Sequence, residues 1–212
     1  MGLRERKAQR NRDRIVAEAL KLFRKNGFEP TTMESIAEAA ELSPSTLYRT
    51  FPTKDAILLE PVRVFTEQIC GVFAKHSERH PVDEAMAEAI FVVLDENDSR
   101  AAETLLVRSI IDKAPTARAR LWDYLYAQQK ELSRLIARRL KAKAGDLRVV
   151  FASQLVMAIV GLAADTWRAS GGKRASRTTA EDLMRALKEG EIVIPRPRKK
   201  AAHRRSGGLA QN

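Results

Sequence analysis

Residues 32–51, TMESIAEAAELSPSTLYRTF, hold two short helical patterns with almost nothing between them. Ile36, Ala37 and Ala40 recur at helical spacing and mark one buried face. Thr31 with Glu34 three residues on makes a capping-box pattern, and Thr32 serves equally well as the N-cap. After Glu41-Leu42 a second helix opens on Ser43, a good cap, and Pro44, whose fixed φ suits the first helical position. This is helix-turn-helix spacing, a unit that places its second helix in the major groove of DNA. Leu47 and Phe51 are four apart and turn inward to Ile36, Ala37, Leu20 and Phe23, which leaves Ser45, Tyr48 and Arg49 outside. Small polar side chains at a helix start let the backbone approach base edges. Tyr48 can lay its ring on the domain and offer its hydroxyl to a phosphate. Lys54, opening the next helix, brings an ammonium beside amides that attract anions. Arg49 reads either as a base or phosphate contact or as a solvated charge.

Outward from that segment the grammar stays helical. Ile15, Val16, Ala19, Leu20 and Phe23 form an apolar stripe on a helix that begins near Arg10 and stops at Gly27. Downstream, helices are expected over 54–78, 82–96, 99–113, 116–143, 147–169 and 179–189, the last introduced by the box Thr178-x-x-Glu181. Pro61 interrupts the first of these and predicts a kink or discontinuity. Only Ile192-Val193-Ile194 resembles a strand. The expected class is therefore all-α: a basic arm over 1–9, a helix-turn-helix domain over 10–55, a larger helical domain over 56–190, and a basic, disordered tail over 191–212.

Composition agrees. The 212 residues are 44% hydrophobic and 31% charged but only 6% aromatic, which suits a folded helical chain. The single cysteine, Cys70, cannot form an internal disulfide, and no apolar run follows Met1, so a cytoplasmic protein is expected. Of the net charge of +11, residues 1–14 carry +4 and residues 191–212 carry +5, as if two arms met a polyanion. Catalysis is poorly provided for: His76 and His80 are four apart but lack a third ligand, so neither a metal, a cofactor nor an enzyme is expected.

The segment 147–169 is apolar on two sides. Val149, Ser153, Val156, Val160, Ala163 and Trp167 form one stripe, and Phe151, Leu155, Ala158 and Leu162 another. The apolar run is short for a membrane span, so no membrane role is expected; the stripe from Val149 to Trp167 is assigned to a partner subunit and the other side to the chain's own core. A ligand cavity between helices is expected among Phe65, Ile69, Phe73, Phe91, Leu94, Leu105, Trp122, Tyr126 and Phe151. Arg108 interrupts an apolar run there. Its charge requires an acceptor, either a carboxylate such as Glu103 or Asp112 or an anionic ligand.

Over roughly residues 10–60 the chain resembles the tetracycline-repressor (TetR) family. The matching residues are Ile15…Ala19-Leu20-x-Leu22-Phe23…Gly27-Phe28, Thr31-Thr32-Met33-x-x-Ile36-Ala37, and Leu42-Ser43-Pro44-Ser45-Thr46-Leu47-Tyr48-x-x-Phe51-Pro52-x-Lys54. The resemblance implies a homodimeric repressor released from a palindromic operator in double-stranded DNA by a small-molecule effector. It assigns DNA contacts to Thr32, Ser45, Thr46, Tyr48 and Lys54, beside the caps Ser43 and Pro44. It implies dimerisation through 147–169 and 179–189, the latter offering Leu183 and Leu187. Segments 105–108, 118–122 and the Trp167 end look most like a branch with acyl-CoA-like ligands. The alternative reading is an effector-free, architectural DNA-binding protein; a C-terminal unit larger than dimerisation requires argues against it.

Overall fold

The computed structural model describes residues 2–143, 145–193 and 195. Among them the chain forms nine α-helices and no strand. The first three are α1 (Leu3–Asn26), α2 (Met33–Ala39) and α3 (Pro44–Thr50). They are followed by α4 (Lys54–His76), α5 (Val82–Ser99), α6 (Ala101–Ile111), α7 (Pro115–Leu140), α8 (Leu147–Ala169) and α9 (Ser176–Glu189).

Local chemistry accounts for most boundaries. α1 starts earlier than its apolar stripe suggests, so residues 3–9 are helical and not a separate arm: the Glu5 carboxylate accepts from the Gly2 amide at 2.8 Å, and Arg, Lys and Gln are good helix formers. Gly27 ends it with φ 90°. At α2 the capping box is Thr32 with Ser35, each side-chain oxygen accepting from the other's amide (3.1 and 3.2 Å). Buried Thr31 instead donates to the Gly27 carbonyl at 2.7 Å. The turn into α3 is tight enough to hold Glu41 at φ 51°.

Three expectations change. α4 runs through Pro61 as one unbroken helix, with Ile57 and Leu58 buried on one side of it and Ile69 and Phe73 on the other, so the expected discontinuity does not occur. α5 continues through Asn97-Asp98 to Ser99, and Asp98 does the work assigned to the Thr178 box. Its carboxylate accepts from the Ser176 amide and hydroxyl, both at 2.8 Å, so α9 begins at Ser176, where its first amide meets an anion from another helix. The tail beyond residue 195 and Ile194 lie outside the described residues.

Two cores divide the chain, and not at residue 55. The first joins α1–α3 and the start of α4 to Val107, Ile111, Ala114, Ala117 and Leu121 of α6, α7 and their connection. The second joins Ile69 and Phe73 to α5, the far half of α7, α8 and α9. Cys70 is half-buried beside Gln128, and its thiol is pushed up to about 11, chiefly by burial and further by Glu131 and Glu67. Alkylation at neutral pH is therefore expected to be slow in the folded protein and fast in denaturant, which a timed iodoacetamide assay measures.

Candidate DNA-binding surface and interhelical cavity

α3 is seven residues long and cannot persist alone. Ser43 Oγ accepts from the Thr46 amide at 3.3 Å and shares a 2.9 Å hydrogen bond with its hydroxyl, Pro44 starts the helix, and Leu47, wholly buried, pins it to the first core. Ser45, Tyr48 and Arg49 are exposed, as their spacing predicts, and Thr32 is exposed at the head of α2. Among the described residues Arg49 makes no ion pair.

Two side chains have partners that were not foreseen. The Tyr48 hydroxyl donates to Glu34 at 3.0 Å, and that bond to a carboxylate raises its pKa above the usual tyrosine value. The Lys54 ammonium donates to the carbonyls of Phe28 (2.6 Å) and Glu29 (3.0 Å) and lies 4.5 Å from the Phe28 ring centre. It ties the α1–α2 turn to α4 and so is a structural residue before it is a phosphate contact. Lys54→Ala is expected to lower the melting temperature by about 3–6 °C, for ~1–2 kcal/mol of lost charge-assisted bonds, while Tyr48→Phe leaves it unchanged. Calorimetry of the two variants checks this.

Behind this unit α4, α6, α7 and α8 wall a cavity of about 690 Å³ that is open to solvent on one side, with the end of α5 at its rim. Its walls are mainly apolar, among them Phe65, Val107, Ile111, Leu121, Trp122, Tyr126, Met157 and Val160. Four arginines (Arg100, Arg108, Arg118, Arg168) and four carboxylates (Glu96, Glu103, Asp112, Asp165) stand around it and balance. Arg108 meets Asp165 at 3.0 Å, neither of the carboxylates expected; Asp112 is taken by Arg168 at 2.5 Å. α8 brings Asp165 across from α6, a contact that sequence distance conceals.

Of the predicted lining, Phe65, Arg108, Trp122 and Tyr126 face the cavity. Ile69, Phe73 and Leu94 are in the second core, because the α4–α5 contact claims that side of α4. Phe91 carries the Arg177 guanidinium 4.1 Å from its ring centre, and Leu105 is half-buried outside the lining. Phe151 is 66% exposed on the outer side of α8.

The stripe assigned to the partner subunit is also corrected. Val149, Ser153, Val156, Val160, Ala163 and Trp167 are all buried within the protomer, where α8 lies against α5, α7 and α9, and Ser153 accepts from Gln129 at 2.7 Å. Of the other stripe Phe151, Ala158 and Leu162 are exposed, while Leu155 packs half-buried against the second core. Leu183 and Leu187 pack half-buried against the second core, so α9 turns its apolar side inward and shows Thr178, Glu181, Arg185 and Lys188 outside. By length and composition α8 could cross a membrane. Its packed side, with a side-chain hydrogen bond across to α7, marks it instead as a core helix.

A cluster not anticipated lies between α1, α4 and α7. Glu60, 5% exposed, accepts from Arg12 at 2.9 Å and from both Nε and Nη2 of Arg63 at 2.7 Å. Arg12 also reaches the Thr50 carbonyl at 3.4 Å and covers Phe51 at 4.5 Å, so one guanidinium touches α1, the end of α3 and α4. From α7, Arg120 donates to Thr53, the cap of α4, at 2.8 Å. His76 and His80 stack at 4.4 Å, and no group of three metal-ligating side chains occurs among the described residues.

A capped helix held outward on a helix-turn-helix unit, joined through a shared core to a cavity-bearing helical unit, defines a DNA-binding regulatory protein. Residues 15–60 match the tetR family of bacterial regulatory proteins. The regulator TcmR of Streptomyces glaucescens is 32% identical over 167 residues, spanning 74% of this chain and 71% of that protein. The chain belongs to the TetR family of transcriptional regulators, DNA-binding repressors. In fold it is similar to Thermus thermophilus FadR, a repressor seen with lauroyl-CoA (TM-score 0.58, 24% identity, 90% of this chain and 100% of that one). Bacillus subtilis FadR, seen with stearoyl-CoA, gives a TM-score of 0.59 at 17% identity over 82% of this chain and 96% of that one.

Proposed function

We propose that the protein is a cytoplasmic homodimeric repressor that leaves a palindromic operator when a small apolar molecule enters the cavity. The observation that carries this reading is that Val107, Ile111 and Leu121 both line the cavity and belong to the core that seats α1–α3. A ligand that moves them moves the support of the recognition helix directly. Ser45 and Arg49 supply base readout, and Thr32, Thr46, Tyr48 and Lys54 supply backbone contacts.

The dimer forms through the outer faces of α7 and α8. Trp122, Tyr126, Leu140, Leu147, Phe151 and Leu162 are 54–81% exposed there. Together they present on the order of 800 Å² of apolar surface, the share of one partner in a standard interface and more than a monomer ordinarily leaves open. Between Phe151 and Leu162 the exposed positions of α8 are Phe151, Gln154, Ala158, Gly161 and Leu162, with one polar side chain among them.

The balanced rim favours an effector with a neutral head group over an acyl-CoA: three of its four arginines, Arg100, Arg108 and Arg168, already face carboxylates, and among the described residues Arg118 alone, bonded to the Asp112 carbonyl, is left for a phosphate. The test is fluorescence anisotropy of the protein on DNA from upstream of its own gene, titrated with lauroyl-CoA and with neutral aromatic and aliphatic alcohols. Release by a neutral compound at lower concentration than lauroyl-CoA supports the assignment. Release by lauroyl-CoA alone overturns the head-group reading, and no release by any member of a broad metabolite panel overturns effector control.

A further inference from the structure

We infer that the cavity is finished by the second copy of the chain: the face that joins the subunits also covers the cavity mouth, so a protomer alone holds an open trough and the dimer a closed chamber. This rests on the dimer proposed above and adds a role for it.

Trp122, Tyr126 and Leu162 line the cavity and yet are 67, 64 and 55% exposed, an unusual pairing for side chains of that size. A finished apolar site buries most of its ligand, and these three walls still stand in water. The same surface runs on, without lining the cavity, to Phe151, Leu147 and Leu140, which are 66, 81 and 54% exposed. A partner laid along this strip covers both halves, because both lie on the same two adjacent helices. Ala158 and Gly161, between them on α8, add no bulk to hold a partner helix away, and nothing lies within 4 Å of where a Gly161 Cβ would sit.

The consequence is an order of events. Effector binding belongs to the dimer, and a mutation at the subunit interface, far from any ligand contact, alters induction.

The test exploits the fact that the chain has two tryptophans: Trp167 also lines the cavity but is only 3% exposed within the protomer, so a change in quenching reports chiefly Trp122. Phe151→Glu and Leu147→Glu, made singly, place a charge on the face but outside the cavity lining. Sedimentation velocity reports mass, circular dichroism reports the fold, and acrylamide quenching reports access to Trp122. In the wild-type dimer Trp122 should be protected, with a quenching constant at least threefold below that of the folded monomeric variants and emission shifted to the blue. Dilution of the wild type through its dissociation should unmask Trp122 in parallel with the loss of mass. A wild-type dimer whose Trp122 quenches as readily as in the monomeric variant overturns the closure while leaving the dimer reading standing. If both variants remain dimeric, the face itself is wrong and closure falls with it. A wild type that is monomeric at high micromolar concentration overturns both readings. Should one variant fail to fold, the other and the dilution series carry the comparison.

Discussion

Leu47→Ala is expected to lower operator affinity about a hundredfold while leaving the second core folded. α3 spans two turns and buries one side chain of its own, Leu47, at 0% exposure. The substitution removes three buried carbons and leaves a void beside Ile36 and Phe51, a loss of roughly 2–4 kcal/mol. A helix this short has no reserve, so the loss appears as fraying of α3; ~2.7 kcal/mol of fraying is a factor of about 100 in binding. The second core shares no buried residue with the first, so its amides should keep their protection. Hydrogen exchange resolved by peptide, beside anisotropy on operator DNA, separates the two. Equal loss of protection in α3 and α8 would show that the cores do not open independently.

The second large effect is expected at Glu60. Burial opposes its charge, but hydrogen bonds from Arg63 and Arg12 outweigh burial and hold the carboxyl below the ordinary carboxylate range. Because the folded pKa is the lower one, this contribution is present at neutral pH and is lost as pH falls below the usual carboxylate range toward the folded value. Glu60→Ala leaves two guanidiniums facing each other across an empty site. Both are about one third exposed and can turn to water, so the loss should be about 2–3 kcal/mol, below the ~3–5 kcal/mol of a fully trapped charge. The melting temperature should fall by roughly 6–10 °C at pH 7, and the gap to wild type should narrow in acid. A gap of constant size down to pH 3 would mean that packing, not charge, sets the contribution.

These two sites differ in how far the sequence discloses them. The α2–α3 unit is legible because its signals are local: Ser43, Pro44, Leu47 and Phe51 act within one or two turns, and each sits where cap and stripe rules place it. The cavity is half legible. Apolar residues at helical spacing identify faces but not which neighbour each face meets, so Phe65 and Trp122 were found together with Phe73 and Leu94, which serve the core. The same ambiguity exchanged the two stripes of α8, since both are apolar and only the packing of α5, α7 and α9 decides which is inside. Arg108 reads from the sequence as needing an acceptor, a carboxylate or an anionic ligand, but Asp165 lies 57 residues away and spacing cannot reveal it. Glu60 left a weak trace, a charge following the apolar pair Ile57-Leu58 on a buried helix, that reads as meaningful only once Arg12 is seen across from it.

The balanced ring of charges around the cavity separates what the protein senses from what holds it together. Asp112 and Asp165 have side chains 45 and 52% exposed, and pairs so wet contribute little to folding. Exchange of either for asparagine shifts the mouth by one unit of charge without emptying a core position, since Asp112, the C-cap of α6, keeps its backbone bonds and Asp165 is a solvent-exposed position of α8. On the reading proposed above, a lineage descended from this chain could thus pass from neutral to anionic inducers in one or two mutational steps, each viable by itself, with its operator inherited unchanged.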